Sequence, residues 1–113
     1  MNLKIGNTPL IKIRYKYNGK KNYIYTKLES YNITGSIKDR VAYYIIKKAY
    51  EQGRLKKGME IVEATSGNTG IALSAMGAYF GNPVHIFMPN WVSKERLNFM
   101  NMSNAKVTLI SKE

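Results

Sequence analysis

Between Glu60 and Ile110 the chain alternates short apolar, β-type runs with stretches of helical spacing, and Gly or Pro punctuates the changes. Glu60–Ala64, Val84–Met88 and Ala105–Ile110 read as strands, while Thr69–Phe80 and Ser93–Met102 read as helices between them. Gly81 ends the first of these helices and Pro83 precedes the strand after it. Neighbouring strands separated by a helix of this length run parallel, because a tight turn returns the chain antiparallel whereas a parallel pair needs a long crossover. The expected class is therefore α/β, a parallel-sheet domain in a three-layer arrangement. At 113 residues the chain has room for one ordinary domain.

Upstream, Leu10–Tyr17 and Asn22–Leu28 alternate apolar or aromatic residues with basic or polar ones, and Asn18-Gly19 lies between them. Asn and Gly tolerate the positive φ of a tight hairpin turn, so this segment is expected to be a β-hairpin. From Ile37 to Gln52 the residues Ile37, Val41, Tyr44, Ile45, the Lys48 stem and Ala49 recur near helical spacing, with Ser36 ahead and Gly53 behind. That pattern predicts a capped amphipathic helix, with Tyr43, Tyr44 and Tyr50 on a helix that covers a sheet. No internal repeat or low-complexity segment occurs.

Composition narrows the chemistry. Eighteen basic residues against seven acidic ones give a net charge of +11, which raises the question of nucleic acid or an anionic membrane surface. The basic residues are scattered, never more than two in a row, so a solvated basic surface is the expectation, with no nucleic-acid or membrane partner. The chain lacks cysteine and has one histidine, His85, which argues against disulfides, thiolate metal sites and a cysteine nucleophile. His85 lies on a buried-type strand and reads as a core or rim residue; Trp91 reads as a packing residue. Met1–Pro9 has no basic segment followed by an apolar one, and a cytoplasmic location is the default expectation. The sequons at Asn32 and Asn101 read as chance matches.

Two stretches carry chemistry. In Asn32-Ile33-Thr34-Gly35-Ser36-Ile37-Lys38-Asp39-Arg40 the turn residues place Lys38 in the first turn of the helix, at its positive end. The helix dipole favours acidic groups there, which accounts for Asp39 and leaves Lys38 misplaced for stability. An amine that attacks an aldehyde would give it a reason; an ordinary surface lysine is the other reading. In Glu63-Ala64-Thr65-Ser66-Gly67-Asn68-Thr69-Gly70 two hydroxyl types, an amide and glycines follow a strand and open a helix, a pattern suited to gripping a carboxylate or phosphate. It lacks the Gly-Lys-Ser/Thr of a P-loop and the spacing of the dinucleotide fingerprint. Glu29, Glu63 and Asp39 form no recognisable carboxylate pair.

Taken in order, Ile5-Gly6-Asn7-Thr8-Pro9-Leu10, Lys27-Leu28-Glu29-Ser30-Tyr31-Asn32, Thr34-Gly35-Ser36-Ile37-Lys38-Asp39-Arg40 and Thr65-Ser66-Gly67-Asn68-Thr69-Gly70 resemble the pyridoxal-phosphate (PLP) dependent cysteine synthase family. Pro83–Pro89 and Ala105-Lys106-Val107 look like that family's following strands, so the resemblance covers essentially the whole chain. It implies a tryptophan synthase β-like fold in which Lys38 is the Schiff-base lysine and moves the substrate α-proton. It further implies that Asn68 hydrogen-bonds the 3′-oxygen of PLP, and that Thr65, Ser66, Gly67, Asn68 and Thr69 grip the substrate carboxylate. The activity implied is β-replacement: O-acetylserine and sulfide give cysteine and acetate.

In such relatives residues 1–36, the lead-in and hairpin, join the larger domain, and 37–113 form the smaller one. Ile33-Thr34 stands where many relatives have Pro-Gly, and Asn104 where glycine is usual; both substitutions suit their turns. The resemblance places the phosphate-cradling loop, the hydroxyl residue at the pyridine nitrogen and a substrate-side glutamine beyond Glu113. This amino-terminal portion is therefore expected to turn over weakly or not at all alone, and to act as a homodimer or by pairing with a missing carboxy-terminal half. Ending on an open strand also fits a non-catalytic remnant or half of a split enzyme. Cystathionine β-synthase, diaminopropionate synthase and serine/threonine dehydratase types share Lys38 and Asn68 and stay open as alternatives.

Overall fold

The structure, a computed structural model, describes residues 3–111. Met1, Asn2, Lys112 and Glu113 lie outside the described residues, and with them the chain end on which the expectation of a remnant or split enzyme rests. Strands β1 (Leu10–Tyr17) and β2 (Lys20–Lys27) pair antiparallel, and a short 3-10 turn, Glu29–Tyr31, leads toward α1 (Lys38–Glu51). Then follow β3 (Ile61–Ala64), α2 (Asn68–Phe80), β4 (Val84–Pro89), α3 (Lys94–Met102) and β5 (Lys106–Ile110).

The hairpin turns as its dipeptide demands. Asn18 and Gly19 adopt φ of 47° and 74°, the left-handed pair of a tight two-residue turn. That turn sets Tyr17 opposite Lys20, so the ladder extends through Lys20 and Lys21 and β2 starts two residues before the apolar alternation does. The register sorts the side chains: Ile11, Ile13, Ile24, Tyr15 and Tyr17 share one face, while Lys12, Arg14, Lys16, Lys21, Tyr23 and Tyr25 share the other. On that second face the Lys12 ammonium lies 3.8 Å from the centre of the Tyr23 ring.

The second sheet is parallel with order β3-β4-β5, in register Ile61↔Val84 and Ile86↔Val107. Val84, Ile86 and Met88 alternate into the interior, where Met100 of α3 and Ala105 close over them and Ile71 of α2 packs alongside. Both helices thus cover one face of the sheet, and each buried aliphatic side chain contributes about 1.5–3 kcal/mol of transfer free energy. Close approach of α2 depends on small residues: a Cβ on Gly77 would lie 2.1 Å from Val84 Cγ2, and one on Gly70 2.7 Å from Met100 Cε.

Helix α1 departs from expectation in two ways. It packs on α2 instead of on the sheet, with Ala42 and Ile46 against Ala72, Leu73 and Met76, and with Tyr43 and Tyr50 beside Phe80. Its inward stripe is also rotated: Asp39, Ala42 and Ile46 are buried, while Ile37, Val41, Tyr44 and Ile45 are exposed. A helix with apolar residues around most of its circumference has two candidate stripes. The one bearing Ala42 prevails at the α2 contact, because a short side chain lets the backbones approach.

Candidate active site

Lys38 opens α1, half-buried, with its backbone N–H donating to Ser36 Oγ at 3.1 Å. Among the described residues its ammonium has no hydrogen-bond or ion-pair partner. Thr65, Ser66 and Gly67 join β3 to α2, and Asn68 and Thr69 form the first helical positions. Thr65 N–H donates to Phe87 O at 2.9 Å, which ties the loop to β4, and Gly67 N–H donates to Thr65 Oγ1 at 3.3 Å. From α3, Arg96 Nη1 donates to Ser66 O at 2.8 Å. No side chain caps α2, and among the described residues the N–H groups of Asn68 and Thr69 meet no acceptor. Ser66 and Asn68 are exposed. An uncapped helix start with free N–H groups and exposed polar side chains is suited to a carboxylate or phosphate.

Packing sets the relation between the two helix starts. The Tyr50 ring stacks on Phe80 with centroids 5.6 Å apart, and its hydroxyl donates to Asn82 Oδ1 at 2.5 Å, so the carboxy ends of α1 and α2 meet. Further back, Ala42 and Ile46 lie against Ala72, Leu73 and Met76. The helices therefore run side by side in the same direction, which brings Lys38 and Asn68 to one end of the pair. At the carboxyl edge of the sheet a cavity of about 330 Å³ opens beside Thr65 and Ser66, walled by Phe87, Met88, Pro89 and Trp91. A larger hollow, about 640 Å³, lies on the hairpin among Lys12, Arg14 and Tyr23, away from these residues.

Around Lys38 lies a polar network that local pattern does not reveal. Glu29 accepts from Arg40 Nε and Nη2 at 2.8 and 2.9 Å, from Thr8 Oγ1 at 2.7 Å and from Asn32 Nδ2 at 2.7 Å. These donors, Arg40 first and then Thr8, hold the Glu29 carboxyl at about 2 against a usual 4.5, and Glu29 in turn pushes the Arg40 guanidinium upward. Asp39 is buried and accepts from Thr34 N–H at 2.7 Å and from the Thr34 hydroxyl, so it closes the preceding turn as well as meeting the helix dipole. The one local clue is spacing, since a carboxylate early in a helix can reach back to the residues before it. His85 is the rim residue expected, its Nε2 2.8 Å from Thr108 Oγ1 and its ring tilted against Phe87.

The family model for pyridoxal-phosphate dependent enzymes matches residues 1–113. The chain belongs to this family. It is 42% identical over 109 residues to cysteine synthase B of Salmonella typhimurium, covering 96% of this chain and 36% of that protein. In three dimensions it matches a hydrogen sulfide-producing enzyme of Fusobacterium nucleatum with TM-score 0.93 and 54% identity, over 96% of this chain and 33% of the other. O-ureido-L-serine synthase matches with TM-score 0.88 and 36% identity, over 96% and 34%. The chain thus spans about a third of the length of the relatives it matches. The expected class, a parallel-sheet α/β domain behind a β-hairpin, is the one this chain shares with those pyridoxal-phosphate enzymes. No described helix is long and apolar enough to cross a membrane.

For this family member the Glu29 network has a pH signature. Because the folded carboxyl titrates below its unfolded value, its stabilisation is complete above about pH 4.5 and is lost as pH falls toward 2. Acid unfolding of Glu29→Gln, followed by circular dichroism, is expected to show a shallower loss over that window than the native chain. Identical acid transitions would refute the assignment.

Proposed function

We propose that these residues carry the cofactor lysine and the carboxylate-gripping loop of a cysteine synthase-type β-replacement enzyme, acting on an O-acetylserine-like amino acid and sulfide. The supporting observation is the convergence of two helix starts: Lys38, whose amine has no partner among the described residues, and the uncapped Thr65–Thr69 turn lie at one end of the packed α1–α2 pair. The donor set suits PLP and its substrate, an amine for the aldehyde and N–H and hydroxyl groups for an anion. When bound, PLP supplies the electron sink that makes the α-proton of the amino acid labile.

In this reading Lys38 Nζ holds the cofactor and then carries the proton at the substrate α-carbon. The Asn68 carboxamide donates to the ring 3′-oxygen. Thr65, Ser66 and Thr69 with the neighbouring backbone N–H groups orient the carboxylate, and Gly67 lets that backbone come close. Arg96 steadies the loop through Ser66 O. Residues 37–113 act as the smaller domain and 1–36 pack with a larger one, in a cytoplasmic enzyme that works as a homodimer or paired with its carboxy-terminal part. The hydrogen sulfide-producing relative favours a second reading, in which the same site releases sulfide from a thiol amino acid.

Incubation of the 113-residue chain with PLP, borohydride reduction and peptide mapping test the site. Label is expected at Lys38 and is expected to vanish from that peptide in Lys38→Ala. Label spread evenly over the surface lysines would defeat the reading. Spectral titration of the loaded chain with O-acetylserine and with cysteine separates the two reactions.

A further inference from the structure

Asn32, Ser36, Asp39 and Arg40, on either side of Lys38 in the chain, are each hydrogen-bonded, while the Lys38 amine is left without a partner among the described residues. Asn32, 4% exposed, joins three segments: its Oδ1 accepts from Gly6 N–H at 2.8 Å, and its Nδ2 reaches Glu29 Oε2 at 2.7 Å, Glu29 O at 2.9 Å and Ser36 O at 3.0 Å. Ser36 in turn receives the Lys38 N–H on its hydroxyl. On the other side, Asp39 is fully buried and holds Thr34 through both carboxylate oxygens, and Arg40 is clamped by Glu29 and Thr8.

Ordinary helix starts need one cap. Here a buried carboxamide and a buried carboxylate bracket a single residue, at the cost of desolvating both groups. Resting on the reading of Lys38 given above, we infer that Asn32 and Asp39 are positioning residues for the cofactor lysine. Asn32 fixes the turn before Lys38 and Asp39 fixes the first helical turn after it, so that the Lys38 Cα–Cβ bond has one direction. A long, flexible lysine stem delivers its amine to a defined point only if its base is rigid, and displacement by about 1 Å can reduce a reaction rate by two orders of magnitude.

The inference is tested with Asn32→Asp and Asp39→Asn, isosteric changes that remove the Nδ2 donors and weaken the grip on Thr34. The control is Ile46→Val, in the α1–α2 core and away from the network. PLP with borohydride trapping measures the share of label on Lys38 relative to all other lysines, and amide exchange measures protection over residues 33–40. Both network variants are expected to lose roughly tenfold in Lys38 selectivity and to speed exchange in 33–40, while Ile46→Val keeps the native selectivity. Should Asn32→Asp fail to fold, Asp39→Asn carries the comparison. Network variants that label Lys38 as selectively as the native chain would overturn the inference and leave Lys38 as the cofactor lysine. A native chain labelled elsewhere would overturn both.

Discussion

Replacing Gly77 with Ala is expected to destabilise the chain by about 2 kcal/mol or more, although alanine is the better helix former by about 1 kcal/mol. The added Cβ would sit 2.1 Å from Val84 Cγ2 and 3.0 Å from the Asn82 carbonyl oxygen. Neither can retreat easily. Val84 is a buried β-branched residue on the strand that pairs with both β3 and β5, and the 82–83 backbone enters that strand. Helix α2 would have to lift from the sheet, loosening its contacts with β4 and α1 together. A drop of roughly 10 °C in the melting midpoint is the corresponding readout. Gly67→Ala is the comparison, because a Cβ there meets nothing within 4 Å, and its midpoint should stay near the native one. Equal midpoints for Gly77→Ala and Gly67→Ala would show that α2 does not lie as close to β4 as described.

Asn82→Ala is expected to cost about 2–4 kcal/mol, chiefly through the loss of three hydrogen bonds made by one buried side chain. Asn82 is 4% exposed, and its Nδ2 donates to Lys56 O at 2.9 Å and Met59 O at 2.8 Å while its Oδ1 accepts from the Tyr50 hydroxyl. Those bonds bind the end of α1, the turn before β3 and the start of β4 at one point. Alanine would leave the Met59 carbonyl without its donor, while the Lys56 carbonyl would keep only Met59 N–H at 3.1 Å and the Tyr50 hydroxyl only Phe80 O at 3.3 Å. Tyr50→Phe, which removes the hydroxyl shared by Asn82 Oδ1 and Phe80 O, should cost about 1 kcal/mol, and urea unfolding resolves the two. If the Asn82→Ala loss were no larger than that of Tyr50→Phe, the carbonyl contacts would contribute nothing.

The elements that local pattern predicts well are those whose causes are local. Asn18-Gly19 dictates the hairpin because both residues accept positive φ, and Gly81 ends α2 in the left-handed conformation, φ 78°. Misjudged boundaries follow the same logic: β2 reaches back to Lys20 because pairing across the turn, not side-chain polarity, defines the ladder. The order of the motifs around Lys38 and Thr65–Thr69 already resembles the family that the comparisons establish.

The amino-acid sequence by itself determined the alternation of strands and helices, the parallel sheet, the hairpin turn and the two helix starts that carry Lys38 and Asn68, since each follows from periodicity or turn chemistry within a few residues. Only the tertiary structure decided which stripe of α1 is buried, that α1 rests on α2, and that both starts share one end. It alone revealed that Glu29, Asn32 and Asp39 form the frame around Lys38. The physical reason is distance along the chain: Arg40 meets Glu29 eleven residues away and Thr8 thirty-two away, and Asn32 meets Gly6 twenty-six away. Bonds of that separation leave no periodic trace, and they form only once packing has brought the segments together.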